Sequence, residues 1–199
     1  HCLKNSAHQF HNKQGDCHYI LAGYPWFKCR ARDLFVSLPG LTLAIDEPEE
    51  FEDVMETAQK TLRCYMNNIP VDCKIYELDD PDVLLWAVWA LQQYAKETTR
   101  EKCRIKYGDL LLEIIDFIRK GKHNNLFLHE NGLLYTHGAN KPVTWMNSTI
   151  DGHPVIPRTG YVVEVNALWY NALRFVADML KEDENPSLAD TLDVLAQKT

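Results

Sequence analysis

An all-α fold is the class this sequence predicts, and three observations predict it. Apolar residues recur at helical spacing along most of the chain, acids and prolines open those stretches, and mostly short connections join them. About six helices follow one another in this way, and the recurring unit is a helix hairpin rather than a repeated sequence. A stack of such hairpins can close into a helical toroid, with the site at the end where the loops gather.

Residues 1–32 read as mixed and irregular, with Gly15, Gly23 and Pro25 as breakers. Residues 33–45 read as a buried helix broken at Pro39-Gly40. A second helix starts at Asp46, with Pro48 and neighbouring acids suiting its first turn. Its stripe is Phe51, Val54, Met55, Ala58, Leu62 and Tyr65. Asp79-Asp80-Pro81 opens a third helix to about Glu97, apolar nearly all round and therefore expected inside. A fourth spans about 99–120, with Leu111, Ile114, Ile115 and Ile118 inward and Gly121 as its stop. Asn131-Gly132 between two short apolar runs predicts a small β-hairpin near 125–136. A long polar loop follows. Helical spacing returns with Val165, Leu168, Trp169, Ala172, Val176 and Met179, and a last short helix follows Pro186.

The chain has 199 residues, net charge −7 and 46% hydrophobic residues, enough for one core or for part of a larger domain. The acidic balance disfavours a nucleic-acid partner. No apolar run approaches membrane-spanning length, and no signal-peptide core opens the chain. It begins with His1 rather than Met, as a piece of a longer protein would. Six cysteines, at 2, 17, 29, 64, 73 and 103, include no Cys-x-x-Cys pair and are expected as free thiols in a reducing cytosol. Zinc at Cys17-His18 or His8-x-x-His11 lacks a second ligand pair, so ordinary thiols and surface imidazoles are the better reading.

Three places can carry chemistry. Tyr24, Trp26 and Phe27 precede Arg30, Arg32 and Asp33, joining flat apolar faces to groups that grip hydroxyls. Asp33 falls at a helix N-terminus, where its charge is favoured; on spacing alone, capping with an Arg partner explains it better. Asp82 and Trp86, four apart, share a helix face and could hold a sugar, although capping plus a core Trp explains them better. The third place runs from Thr144 through Trp145, Asn147 and Arg158 to Glu164 and Asn166, in a loop long enough to be functional. There Glu164 also reads as an ordinary first-turn acid, and Asn166 as packing. Dinucleotide and phosphate-loop glycine motifs, His-Glu-x-x-His and Gly-x-Ser-x-Gly are all missing.

Taken together, the strings resemble the C-terminal, glucosidase-type domain of glycogen debranching enzymes. They are Ala22-Gly23-Tyr24-Pro25-Trp26-Phe27, Arg32-Asp33 with Leu38-Pro39-Gly40-Leu41, Asp82 with Leu85-Trp86, Thr144-Trp145-Met146, Pro157-Arg158, and Val163-Glu164-Val165-Asn166-Ala167-Leu168-Trp169. Order and approximate spacing agree over about residues 7–180. The resemblance implies an (α/α)6 toroid of which this chain holds only part, because about six helices are half of the roughly twelve in a full ring. It also implies hydrolysis of the α-1,6-glucosyl stub at a glycogen branch, with inversion, no metal and no cofactor. The expected partner is glycogen or an α-glucan oligosaccharide, in the cytoplasm.

Residue by residue, Arg32 and Asp33 align with a Gly-Arg-Asp string in which Ala31 replaces the glycine. Asp82 and Trp86 align with an Asp-x-x-Leu-Trp string that resembles a sugar-binding element. Trp145 and Met146 align with a Trp-Met-Asp string, but Asn147 stands where the carboxylate belongs, and Asn is no general acid or base. An inverting hydrolase needs two carboxyls roughly 6.5–9.5 Å apart. Asp33 is the first candidate, and Glu164 is the best second one among the matched strings. Tyr24, Trp26, Arg32, Asp82, Trp86, Trp145, Asn147, Arg158 and Asn166 are the expected substrate contacts. Two alternatives stand beside the enzyme: a catalytically impaired carbohydrate-binding relative, and a helical scaffold or interaction domain.

Overall fold

A computed structural model describes residues 2–24, 26–70, 72–138, 140–182 and 186–199. Pro25, one of the breakers named above, lies outside them. The described residues are mostly helical, with seven α-helices and four two-stranded sheets. The chain divides into two compact units, His1–Leu78 with Ala90–Cys103, and Asp79–Trp89 with Arg104–Thr199. The division falls inside α4 (Val83–Glu97) and α5 (Arg100–Arg119).

The first unit starts with structure where the sequence reads as irregular. Helix α1 (Cys2–His8) buries only Ala7, so it offers no apolar stripe to detect. Strands β1 (His11–Gln14) and β2 (Cys17–Ile20) form an antiparallel hairpin. Its two-residue loop is Gly15-Asp16, with Gly15 at φ 60° as the first central residue of a II′ turn requires. Two-residue β3 (Cys29–Arg30) and β4 (Ile75–Tyr76) pair in parallel. Helix α2 (Ala31–Leu41) then runs through Pro39. The break comes at Thr42, not at Pro39-Gly40, because proline's fixed φ is helical and the helix forgoes only the one bond that an N–H at 39 would have made to the Phe35 carbonyl. A 3-10 turn (Leu43–Ile45) and left-handed Asp46 at φ 61° lead into α3 (Pro48–Met66).

The stripe predicted for α3 is buried from Phe51 to Leu62, but Met66 rather than Tyr65 closes it. Thr57 and Thr61 join the buried face, which an apolar count misses. Thr61 donates to the Thr57 carbonyl, and Thr57 accepts from His18 N at 2.8 Å. Phe51 stacks on Tyr94 at 4.9 Å between centroids, and a buried side chain of this kind contributes about 1.5–3 kcal/mol.

In the second unit the chain turns at Asp80, whose carbonyl accepts Val83 N, and enters α4. The helix therefore starts at Val83 rather than at the Asp79-Asp80-Pro81 signal. Leu111, Ile114, Ile115 and Ile118 of α5 are buried, and Gly121, at φ 64°, ends the run. Its N–H reaches the Ile118 carbonyl while Lys122 N reaches that of Phe117. Strands β5 (Leu126–Leu128) and β6 (Leu134–Thr136) form the predicted hairpin with Gly132 at φ 86°. A further hairpin, β7 (Thr149–Ile150) with β8 (His153–Pro154), turns on Asp151-Gly152, both at positive φ. The long-loop reading missed it, although Asp-Gly between short runs is its signature. Helix α6 (Val163–Glu182) buries Val165, Trp169, Ala172 and Val176 and packs on α7 (Pro186–Lys198). Asp193 receives both Arg174 and Lys181 at the edge of that pair.

Candidate functional site

In the first unit, Phe27 N donates to the Gly23 carbonyl and Ala22 N to that of Lys28, closing a turn between β2 and β3. The turn displays Tyr24, Trp26 and Phe27, which are 62%, 83% and 53% exposed. Single exposed aromatic residues are ordinary, but neighbouring ones that form a patch mark an interaction or ligand surface. Phe27 lies under the Arg30 guanidinium at 5.8 Å, and Arg30 pairs with Glu77 at 2.7 Å. Arg30, one of the two arginines beside Asp33, is therefore engaged elsewhere. Arg32 is buried at 8% exposure, while Asp33, the third residue of α2, is exposed. The helix dipole favours a carboxylate in this first turn. The Asp33 carboxylate has no hydrogen-bond or ion-pair partner among the described residues; it does help push the neighbouring Cys29 thiol up to about 12, after burial, the main cause.

The second unit brings four residues of the Thr144–Glu164 region together. Glu164 sits in the first turn of α6, where the dipole again suits a carboxylate. Its Oε1 accepts from Trp145 Nε1 at 3.1 Å and from Arg158 Nη2. Both donors use the same oxygen, so no described residue donates to Oε2. Arg158 also directs Nη1 at the Met146 sulfur. Arg158 is held at φ 51°, a left-handed value uncommon outside glycine. Its carbonyl accepts from the Thr136 hydroxyl at 2.8 Å, and Thr136 bridges Gly160 by paired backbone bonds. The buried end of β6 thus fixes the loop, and the loop fixes the arginine. Trp145 is 62% exposed, so its indole N–H is anchored while its face is open. Asn147 is exposed beside it.

Three other predicted contacts are occupied by the protein. Asp82 is 2% exposed and accepts from the indole N–H of Trp86 at 3.2 Å, so this pair engages itself at the start of α4. Trp86 meets Trp89 edge to face at 5.4 Å. The Asn166 amide accepts from Leu134 N and donates to the Leu134 and Val162 carbonyls, tying β6 to α6.

Sequence reasoning missed two features of the second unit. A polar cleft of about 440 Å³ is lined by Asp79, Asn125, His137 and Lys141 among others. Behind it, buried His123 accepts from Asn125 N at Nδ1, and burial pushes its pKa down to about 4, against a small opposing pull from Asp79. Beside the β5–β6 hairpin, His129 stacks on Tyr135 at 5.3 Å, and Tyr161 stands edge-on to both with its hydroxyl 2.7 Å from His129 Nδ1. Interleaved aromatic and polar residues from 123 to 161 were the available signal.

The proposed zinc positions have other partners. His8 and His11 face Glu47 and Glu50, at 2.7 and 3.6 Å, and His18 faces Asp53 at 3.6 Å. Ligand atoms of His18, Glu50 and Asp53 do lie within 4.8 Å of one another, but these are half-buried or exposed ion-pair groups on the rim of α3. Cys17 turns instead toward Cys73. Among the described residues no helix is long and apolar enough to cross a membrane.

A family model described as amylo-alpha-1,6-glucosidase matches residues 5–198. No curated protein and no solved structure matches the chain significantly.

Proposed function

The chain belongs to the amylo-alpha-1,6-glucosidase family, and from that premise we propose that it serves the hydrolysis of α-1,6-glucosidic stubs in glycogen or a related α-glucan. The observation that carries the reading is the Glu164 carboxylate, held by Arg158 and by the indole N–H of an exposed Trp145, inside a chain matched by the family model almost end to end. Glu164 is the water-activating carboxylate in this reading, because its Oε2 is open to a water while Oε1 is fixed. Asp33 is the other carboxylate, offered on its match to the family's Arg-Asp string and on its exposure. Inversion is the stereochemical outcome that the family resemblance brings to this reading.

Tyr24 and Trp26 in the first unit and Trp145 in the second are the stacking surfaces for sugar rings. Arg32, Arg158 and Asn147 supply donors to hydroxyls. Asp82, Trp86 and Asn166 act one step back, by shaping the elements that carry the loops. Expectations that the resemblance brought remain part of this proposal: a toroid of paired helices, of which 199 residues form one domain or a fragment, working in the cytoplasm without metal or cofactor.

A second reading is a carbohydrate-binding relative that does not hydrolyse, and Asn147 in place of the family's carboxylate favours it. Two measurements decide. Maltooligosaccharide titration should show binding, and incubation with a phosphorylase-limit dextrin should release free glucose. Binding without glucose would leave the second reading; neither would remove both.

A further inference from the structure

We propose that Cys17 and Cys73 form a site of reversible covalent modification, closing to an intramolecular disulfide by exchange with a small disulfide of the glutathione type. The two Sγ atoms lie 3.0 Å apart although the residues are 56 positions apart in the chain. Closing to a disulfide's length of about 2.0 Å asks for roughly 1 Å of movement. Neither residue meets the other by accident of a loose loop. Cys17 opens β2, paired with Gln14 across the hairpin, and the next residue's N–H is bound to Thr57 on α3. Cys73 is followed by Lys74, whose N–H donates to the Tyr19 hydroxyl at 3.1 Å. The thiols therefore face each other from two segments, β2 held to α3 through Thr57 and the Cys73 segment held to β2 through Tyr19, and both are half-buried, so a small reagent can reach them.

The remaining cysteines offer no comparable pair among the described residues. Cys29 and Cys103 are buried thiols pushed up to about 12 by burial. Burial also raises the Cys73 thiol, and exchange quickens with rising pH as thiolate forms. The Cys17 thiolate attacks one sulfur of the small disulfide, the S–S bond breaks, and one small thiolate leaves with the first proton. The Cys73 thiolate then attacks the Cys17 sulfur, the mixed disulfide breaks, and the second small thiolate leaves with the second proton. The protein loses two electrons and the reagent gains two. In a reducing compartment the pair rests as two thiols and closes only under oxidation.

The position of this bond gives it consequence. Cys73 stands two residues before β4, which pairs with β3, and β3 leads directly into Arg32 and Asp33. The closed loop contains the whole Tyr24–Asp33 segment. The bond would staple the strand pair at the base of that segment, independently of what the segment binds.

The test is to hold the 199-residue chain with excess oxidised glutathione at pH 8, block remaining thiols, and map the peptides by mass spectrometry. The expected result is a Cys17–Cys73 cross-linked peptide, two fewer free thiols, and full reversal by dithiothreitol. The melting temperature of the oxidised form should rise by roughly 10 °C. Cys17→Ser and Cys73→Ser should each abolish the cross-link, and Cys64→Ser should keep it. Circular dichroism confirms that each variant is folded. Where a Ser variant does not fold, the wild-type peptide map alone decides. Six free thiols after oxidation, a stable glutathione adduct without closure, or a cross-link through a different pair would each overturn the proposal.

Discussion

Asp33 and Glu164 are both first-turn carboxylates, and the protein treats them in opposite ways. Asp33 stands exposed on a regular helix, set up by backbone alone. Glu164 is clamped by two donors from a loop that itself depends on a left-handed Arg158 and on the buried hydroxyl of Thr136. A carboxylate placed by a helix start is robust to change around it. One placed by a loop is as reliable as the contacts that hold the loop.

The largest effects should come from the carboxylates. Glu164→Gln and Asp33→Asn should each lower the rate of glucose release about 10²–10⁴-fold, the range of general acid–base contributions, with little change in oligosaccharide affinity. Equal losses would make the two partners; a loss at Glu164 alone would reduce Asp33 to a binding group. Acid stability comes next and separates the units. In the second unit, His123 has a folded pKa of about 4 against an ordinary 6.5, so the unfolded chain binds the extra proton between those values. Stability is therefore full above pH 6.5 and falls as pH drops toward 4, by about 3 kcal/mol. His123→Phe should flatten that slope in urea melts taken from pH 7 to 4. In the first unit, the His8 hydrogen bond holds the Glu47 carboxyl below its ordinary 4.5, so this contribution is present above pH 4.5 and is lost only below it. Melts continued below pH 4 should reach the Glu47 window after most of the His123 contribution is gone.

Arg158→Ala should cost about 10²-fold in rate, because Glu164 loses its clamp, and Arg158→Lys should recover only part of it. Trp145→Ala should weaken maltooligosaccharide binding about tenfold, the order of a lost stacking face. The smallest change is expected from Asn147→Asp. If Glu164 is the working carboxylate, restoring the family's acid at 147 should alter glucose release by less than about threefold. A large gain there would shift the catalytic assignment to position 147.

The same contrast explains what could be read in advance. Helices α3 to α6 announced themselves because a packed helix must repeat its apolar residues, as Leu111, Ile114, Ile115 and Ile118 do. Helix α1 did not, because it buries one alanine. The hairpins at Gly15-Asp16 and Asp151-Gly152 carried the right turn residues but lacked flanking apolar alternation. Asp33 at a helix start was legible from composition. The clamp on Glu164 was not, since nothing in the spacing of Trp145, Arg158 and Glu164 says that a loop will fold them onto one oxygen. Spacing favours a structural role for Asp82 and offers one for Asn166, but it does not reveal the particular bonds to the Trp86 indole and to Leu134.

Glucose release from a phosphorylase-limit dextrin, compared between the wild-type protein and Glu164→Gln at matched oligosaccharide binding, tests the central claim most directly. The account predicts release by the wild type and a loss of at least about a hundredfold in the variant. Equal release by both, or none by the wild type despite clear binding, would contradict it.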